Sequence, residues 1–303
     1  MLGKLPEVQG VPVRRQLSDG NTVHCFSNSM TLTPRFVNPA LNGHAAKLGN
    51  GQVSGDGEHE LVLLTSPSPD LILDDEPITR SQKTDPELGQ QVAEFLISKG
   101  VATPQIETGL DETQKRTLIA HHFARIMQAL GLDLRDDSLA DTPRRVAQMY
   151  VDEIFYGLDW RNFPKCTTVE NKMGYSSMVV ERNINVQSNC EHHFVIIDGR
   201  AHVAYIPQKK VLGLSKINRV VEYFAKRPQI QERLTEQIFY ALSYILETED
   251  IAVVIQAKHY CVKSRGVEDV NSDTVTSKLG GLFLHSTATR SEFMRVVNTV
   301  IAP

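Results

Sequence analysis

The apolar residues of this chain change their period once, and that change restricts the fold more than any other feature. From residue 84 to about 157 they recur at helical spacing. Thr84-Asp85-Pro86 opens a first run that continues through Leu88, Val92, Phe95 and Leu96 and closes at Gly100. A second helix is predicted over about 111–130, with Ile119, Phe123, Ile126, Met127 and Leu130 on its apolar face. Thr142-Pro143 starts a third, which runs through Val146, Met149, Tyr150, Ile154 and Phe155 to Gly157. Beyond residue 170 the pattern alternates. Residues 178–186 read as a strand, and 193–206 as a hairpin with Asp198-Gly199 supplying a tight type I′ turn. Ser215 reads as the cap of a following helix, and Pro228 as the start of another. Strands are predicted over 251–262 and 274–284, and a last helix over about 288–298. The whole predicts an α+β fold: a mainly antiparallel sheet with helices on one face, its core over 170–303, preceded by a helical section over 83–158.

Residues 1–82 have a different composition. The first 80 hold 7 of the 14 prolines and 8 of the 19 glycines, with two aromatics, Phe26 and Phe36. Few packed elements can form there, and 1–82 is read as a disordered or loosely attached extension. Its first 50 residues carry five Lys/Arg against two acids. That is weakly reminiscent of an organelle transit segment; a dispensable tail is the reading adopted. No apolar run approaches the roughly 20 residues that span a bilayer, so no membrane partner is expected. A net charge of −4 argues against a nucleic-acid partner. Four cysteines in 303 residues are too sparse for a disulfide scaffold, which points to a reducing, cytoplasmic home.

In such a compartment a Cys beside a His suggests metal or catalysis. Cys190-Glu191-His192-His193 has a Cys-x-x-His spacing that can chelate one ion. In the strand predicted over 251–262, His259 and Cys261 share the face of Ile251, Val253, Ile255 and Ala257. Cys190, His193 and Cys261 then form a Cys₂His set that suits Zn²⁺ and leaves a fourth position open, as catalytic sites do. His192 and His259 remain as non-ligand imidazoles, either proton carriers or orienting groups. Lys216 and Arg219 lie three apart at a helix start beside Ser215, a geometry for phosphate as well as an ordinary solvated face. Lys263 and Arg265 add positive charge after Cys261. Glu232, taken alone, reads as a first-turn acid favoured by the helix dipole.

Taken in order, CEHHF, GLSKINR, RPQIQERLTEQI, HYCVKSRG and TSKLGG make residues 86–303 resemble GTP cyclohydrolase type I. The resemblance implies the tunnelling fold (T-fold), completed by oligomerisation, in a homodecamer of two pentamers. It implies hydrolysis of GTP to 7,8-dihydroneopterin triphosphate and formate. Zinc would be held by Cys190, His193 and Cys261, with His192 and His259 transferring protons. Glu232 would anchor the guanine with Gln231 close by. Ser215, Lys216, Arg219 and Arg265 would hold ribose and triphosphate, and Arg145 would reach the triphosphate from a neighbouring subunit. Gln148 stands where some relatives carry a phosphate-facing lysine. A nitrile reductase of the same fold, using a Cys nucleophile and NADPH, and a catalytically silent zinc-binding paralogue are the competing readings.

Overall fold

The computed structural model describes residues 83–299. The extension read over 1–82 lies outside the described residues, as do residues 300–303. Three helices come first: α1 (Pro86–Ser98), α2 (Glu112–Ala129) and α3 (Thr142–Gln148). They start where side chains satisfy the orphan N–H groups. Asp85 accepts from the Leu88 amide, and Asp111 forms a reciprocal capping box with Gln114. The third helix does not run on to Gly157 as predicted. It passes into a π-helical turn over Met149–Ile154 and a 3₁₀ turn over Tyr156–Leu158. The wider π turn carries Asp152 inward, where Arg116 of α2 meets it at 2.8 Å in a buried pair. The apolar face predicted for α2 is only partly covered in the single chain: Met127 is buried, but Ile126 is 53% and Leu130 73% exposed.

The second half contains β1 (Thr168–Glu170), β2 (Val179–Cys190), β3 (Ile196–Tyr205) and β4 (Lys210–Leu212), then α4 (Leu214–Ala225) and β5 (Pro228–Gln229). These are followed by α5 (Gln231–Leu246), β6 (Ile251–His259), α6 (Tyr260–Lys263), β7 (Thr274–Leu279), α7 (Gly281–His285) and α8 (Thr287–Asn298). β1 and β4 form a two-stranded pair, and the main sheet runs β5-β2-β3-β6-β7. Its pairs are antiparallel except β2 with β5. Alternation along β3 and β6 sorts their side chains to two faces. Ala201, Val203, Tyr205, Ile251, Val253 and Ile255 join α1, α4 and α5 in the main core. Ala204, Ile206, Ala252 and Val254 meet Phe283 of α7 and Phe293 of α8 on the other. The α+β class holds, but helices lie on both faces rather than one, because β3 and β6 are apolar on both sides at this end.

Several local expectations are corrected by the sheet. Asp198-Gly199 is not a turn; it lies inside β3, paired with Gln187 and Val186 of β2 and with Lys258 and Ala257 of β6. The glycine serves close approach rather than a positive φ. A Cβ there would lie 2.2 Å from Gln256 O and 2.5 Å from Ala257 Cβ, so backbone would have to move. Gly199→Ala is therefore expected to lower unfolding free energy by about 1–3 kcal/mol, the usual cost of overpacking, read as a lower urea midpoint at unchanged slope. Ser215 is not the cap of α4, whose N-cap is Gly213. Pro228 lies in β5, and α5 begins at Gln231 after Ile230. Strand β6 stops at His259, and β7 at Leu279.

One buried cation joins the two halves. Arg227 is fully buried, with its guanidinium carbon 4.8 Å from the Tyr223 and Phe224 ring centroids and 5.0 Å from Trp160. It donates to Gly157 O and, at 3.3 Å, to Thr103 Oγ1. The segment that follows it, β5, is the one that pairs with the end of β2.

Candidate metal centre

β2 ends on Cys190, and the next five residues fold back on it. The Phe194 amide donates to Cys190 O and the Cys190 amide to Val195 O, each at 2.8 Å. This tight loop, not a strand, returns His193 to Cys190, with Nδ1 4.0 Å from Sγ. Phe194 pays for the reversal with φ at 54°, a left-handed conformation that costs a non-glycine residue about 1–3 kcal/mol. Its ring is held at centroid distances of 5.2 Å from Phe155 and 6.1 Å from Tyr150, so the π turn braces the loop. β5 braces the other side: the Glu191 amide donates to Gln229 O at 3.0 Å. Gln229 is itself buried and donates to Phe224 O and Gln237 Oε1.

Cys261 arrives by a different route from the one the alternation predicts. The strand has ended, and Cys261 sits on the single turn of α6. Even so, the donor atoms of Cys190, His193 and Cys261 lie within 4.8 Å of one another. Two sulfurs and an imidazole at that separation can share one ion, and this donor chemistry fits Zn²⁺ with one position left over. Burial, with the neighbouring Cys190 sulfur as a further cause, pushes the Cys261 thiol above its ordinary pKa. Metal binding and loss of the thiol protons are therefore coupled.

The imidazoles beside the donors differ. His192 is largely exposed, with Nδ1 3.7 Å from Cys190 Sγ and Nε2 3.9 Å from a Glu191 carboxylate oxygen. Glu191 is in turn held by Arg233 at 2.5 Å. His259 is half-buried and places Nε2 2.7 Å from Gln231 Oε1. Burial pushes its pKa down, while the Glu232 charge opposes the shift. Glu232 is exposed on the first turn of α5. The Gln231 side chain is buried, with hydrogen bonds to Ile255 O, Thr274 O, Thr276 Oγ1 and His259 Nε2.

Of the predicted cations, Arg265 reaches the donors directly. Its Nη1 lies 2.8 Å from His193 Nε2. Lys216 and Arg219 are half-buried on α4 beside the exposed Ser215. Their charges reach Cys166, whose thiol burial nevertheless pushes up to about 12. Arg145 is 73% exposed on α3 and pairs with Asp141 at 2.8 Å. Arg144 and Arg145 together hold the Asp141 carboxyl well below the ordinary carboxylate range. The sequence reading missed the Glu191–Arg233 pair and Phe194. Glu191, inside the CEHH run, was the available signal for the first; nothing in a single sequence marks the second.

Fold and site together define a class: an α+β protein that gathers a Cys₂His metal set at one end of a mixed sheet, with two further imidazoles beside it. The family model described as GTP cyclohydrolase I matches residues 119–298. "GTP cyclohydrolase 1" of Haemophilus ducreyi is 56% identical over 209 residues, covering 69% of this chain and 96% of that protein. The same-named protein of Yersinia enterocolitica is 58% identical over 206 residues, covering 68% and 94%. A solved structure titled archaeosine synthase QueF-Like in the apo form is 15% identical, covers 35% of this chain and 94% of its own, and has a TM-score of 0.30, too weak a likeness to weigh on fold or function. The chain belongs to the GTP cyclohydrolase I family, and its activity is that of this family of hydrolases.

Proposed function

We propose that this chain hydrolyses GTP to 7,8-dihydroneopterin triphosphate and formate, with Zn²⁺ held by Cys190, His193 and Cys261. The observation that carries the reading is the convergence of those three donors from a β2 loop and the α6 turn, 68 residues apart at the nearest point in sequence. Bound zinc supplies a Lewis acid that makes water nucleophilic near neutral pH. The protein's own groups do the rest. His192 and His259, outside the donor set, give and take protons as the purine imidazole ring opens and formate leaves. Glu232, exposed beside His259, accepts from the ring N–H and exocyclic amine of guanine. Ser215, Lys216, Arg219 and Arg265 take ribose and triphosphate, with Arg265 close enough to His193 to join the phosphate end to the metal end. Formate and a fluorescent pterin should appear when metal-loaded protein meets GTP, and neither after chelation. Zinc-loaded protein that yields neither product would end this reading.

The proposal extends to assembly. The T-fold barrel is completed by further copies of the chain in a decamer of two pentamers, with Arg145 contributed to the triphosphate by a neighbour. Exposed Ile126 and Leu130 on α2 support it, as do the sheet ends: among the described residues, β5 and β7 each pair on one side only. Light scattering of purified protein tests the stoichiometry. No described helix is long and apolar enough to cross a membrane; a cytoplasmic location remains the proposal drawn from cysteine usage. Deleting residues 1–82 is expected to leave kcat and KM for GTP within about twofold of the full chain, because every proposed site residue lies beyond them. A truncated protein that loses turnover or assembly would assign the extension a role.

A further inference from the structure

Gln231 is 1% exposed at the first position of α5, and its amide is fixed on every side. Nε2 lies 3.0 Å from Ile255 O, 2.9 Å from Thr274 O and 3.1 Å from Thr276 Oγ1, while Oε1 lies 2.7 Å from His259 Nε2. Main-chain carbonyls only accept, so the NH₂ group must face Ile255 and Thr274. The reverse orientation would set the amide oxygen against two carbonyl oxygens in a buried space, leaving all three unsatisfied. The hydroxyls close the arrangement. Thr235 Oγ1 donates to Gln231 O at 2.9 Å, so the proton in its 2.7 Å contact with Thr276 Oγ1 comes from Thr276. That leaves the Thr276 oxygen free to accept from Gln231. Only one orientation sets the NH₂, with its two hydrogens, among acceptors, and it turns Oε1 to His259. An amide oxygen only accepts, so His259 Nε2 must be the nitrogen that bears hydrogen.

The geometry points to Gln231 as a positioning residue: it fixes the His259 ring and its Nε2–H tautomer, so that the bare nitrogen offered to the reaction is Nδ1. This replaces a guanine contact for the Gln231 side chain with a role exerted through His259, and it rests on the proposed use of His259 in proton transfer. The physical reasoning is that of any imidazole whose second nitrogen is anchored: the hydrogen bond on one side decides which nitrogen is basic on the other.

The first measurement needs no substitution. In ¹⁵N-histidine spectra of metal-loaded protein, with the His259 signals identified by their loss in His259→Asn, Nε2 should be pyrrole-type and Nδ1 pyridine-type. A proton on Nδ1 would overturn the inference, and this holds whether or not GTP is turned over, so its failure and that of the proposed function are separable. In Gln231→Leu, metal content should stay unchanged and the fixed tautomer should be lost. kcat should fall on the order of 10–100-fold, while KM for GTP stays within about twofold. Gln231→Glu should recover part of kcat, since a neutral carboxyl can donate to one carbonyl and accept from Nε2. A raised KM at unchanged kcat in Gln231→Leu would make the side chain a substrate contact and sink the positioning role.

Discussion

A Cys261→Ala protein is expected to purify without stoichiometric metal and to make no pterin from GTP. Two donors, Cys190 and His193, would remain, both from one five-residue loop. The loss should exceed the 10–100-fold typical of removing an outer partner of a ligand, because here the bond itself is gone. Cys261 is half-buried on a single helical turn and not in the sheet core, so its removal should change the stability of metal-free protein by no more than about 1 kcal/mol. The two quantities therefore separate: metal analysis and turnover collapse, while metal-free unfolding does not. A variant that kept its full zinc content would show that some other side chain completes the set.

Strand alternation carried through 251–262 puts Cys261 on one face with His259. The strand stops at His259, and the side chain reaches the other donors from α6 instead. The residue types survived the error because donor chemistry is legible from composition and spacing, whereas the point at which a strand ends depends on its partners. β6 pairs with β3 as far as Ile197 and His259, and among the described residues no strand partner continues beyond. Asp198-Gly199 failed for the same kind of reason. The dipeptide has the chemistry of a tight turn, but β6 lies so close that only glycine fits, and that closeness is tertiary. The helix starts at Asp85 and Asp111 were legible because capping is local. The π turn was not, because what draws Asp152 inward is Arg116, 36 residues away. At the site, the donors and cations were legible as types. The hydrogen bonds of Gln231 were not, because the carbonyls at 255 and 274 reach it only on folding.

His192→Ala is expected to keep its metal and lose turnover by about 10²-fold or more, the scale of a general acid–base group. The separation of the two effects follows from the geometry of adjacent residues. His192 and His193 both lie near Cys190 Sγ, at 3.7 and 4.0 Å, but it is the His193 ring that gathers with Cys190 and Cys261 within 4.8 Å. The His192 side chain is 65% exposed, and its distal nitrogen is turned toward Glu191, 3.9 Å away. An imidazole so placed can exchange protons with a substrate and with solvent without holding the ion. Glu191 is itself fixed by Arg233, the residue after Glu232, so the group that holds the side chain beside His192 and the proposed guanine anchor sit on one helix turn. Losing the ring should therefore act on kcat, leaving KM and the metal nearly unchanged. Metal loss in His192→Ala would make His192 the ligand in place of His193. Retention of both metal and wild-type turnover would remove it from proton transfer and leave His259, with its anchored Nε2, as the imidazole through which the reaction runs.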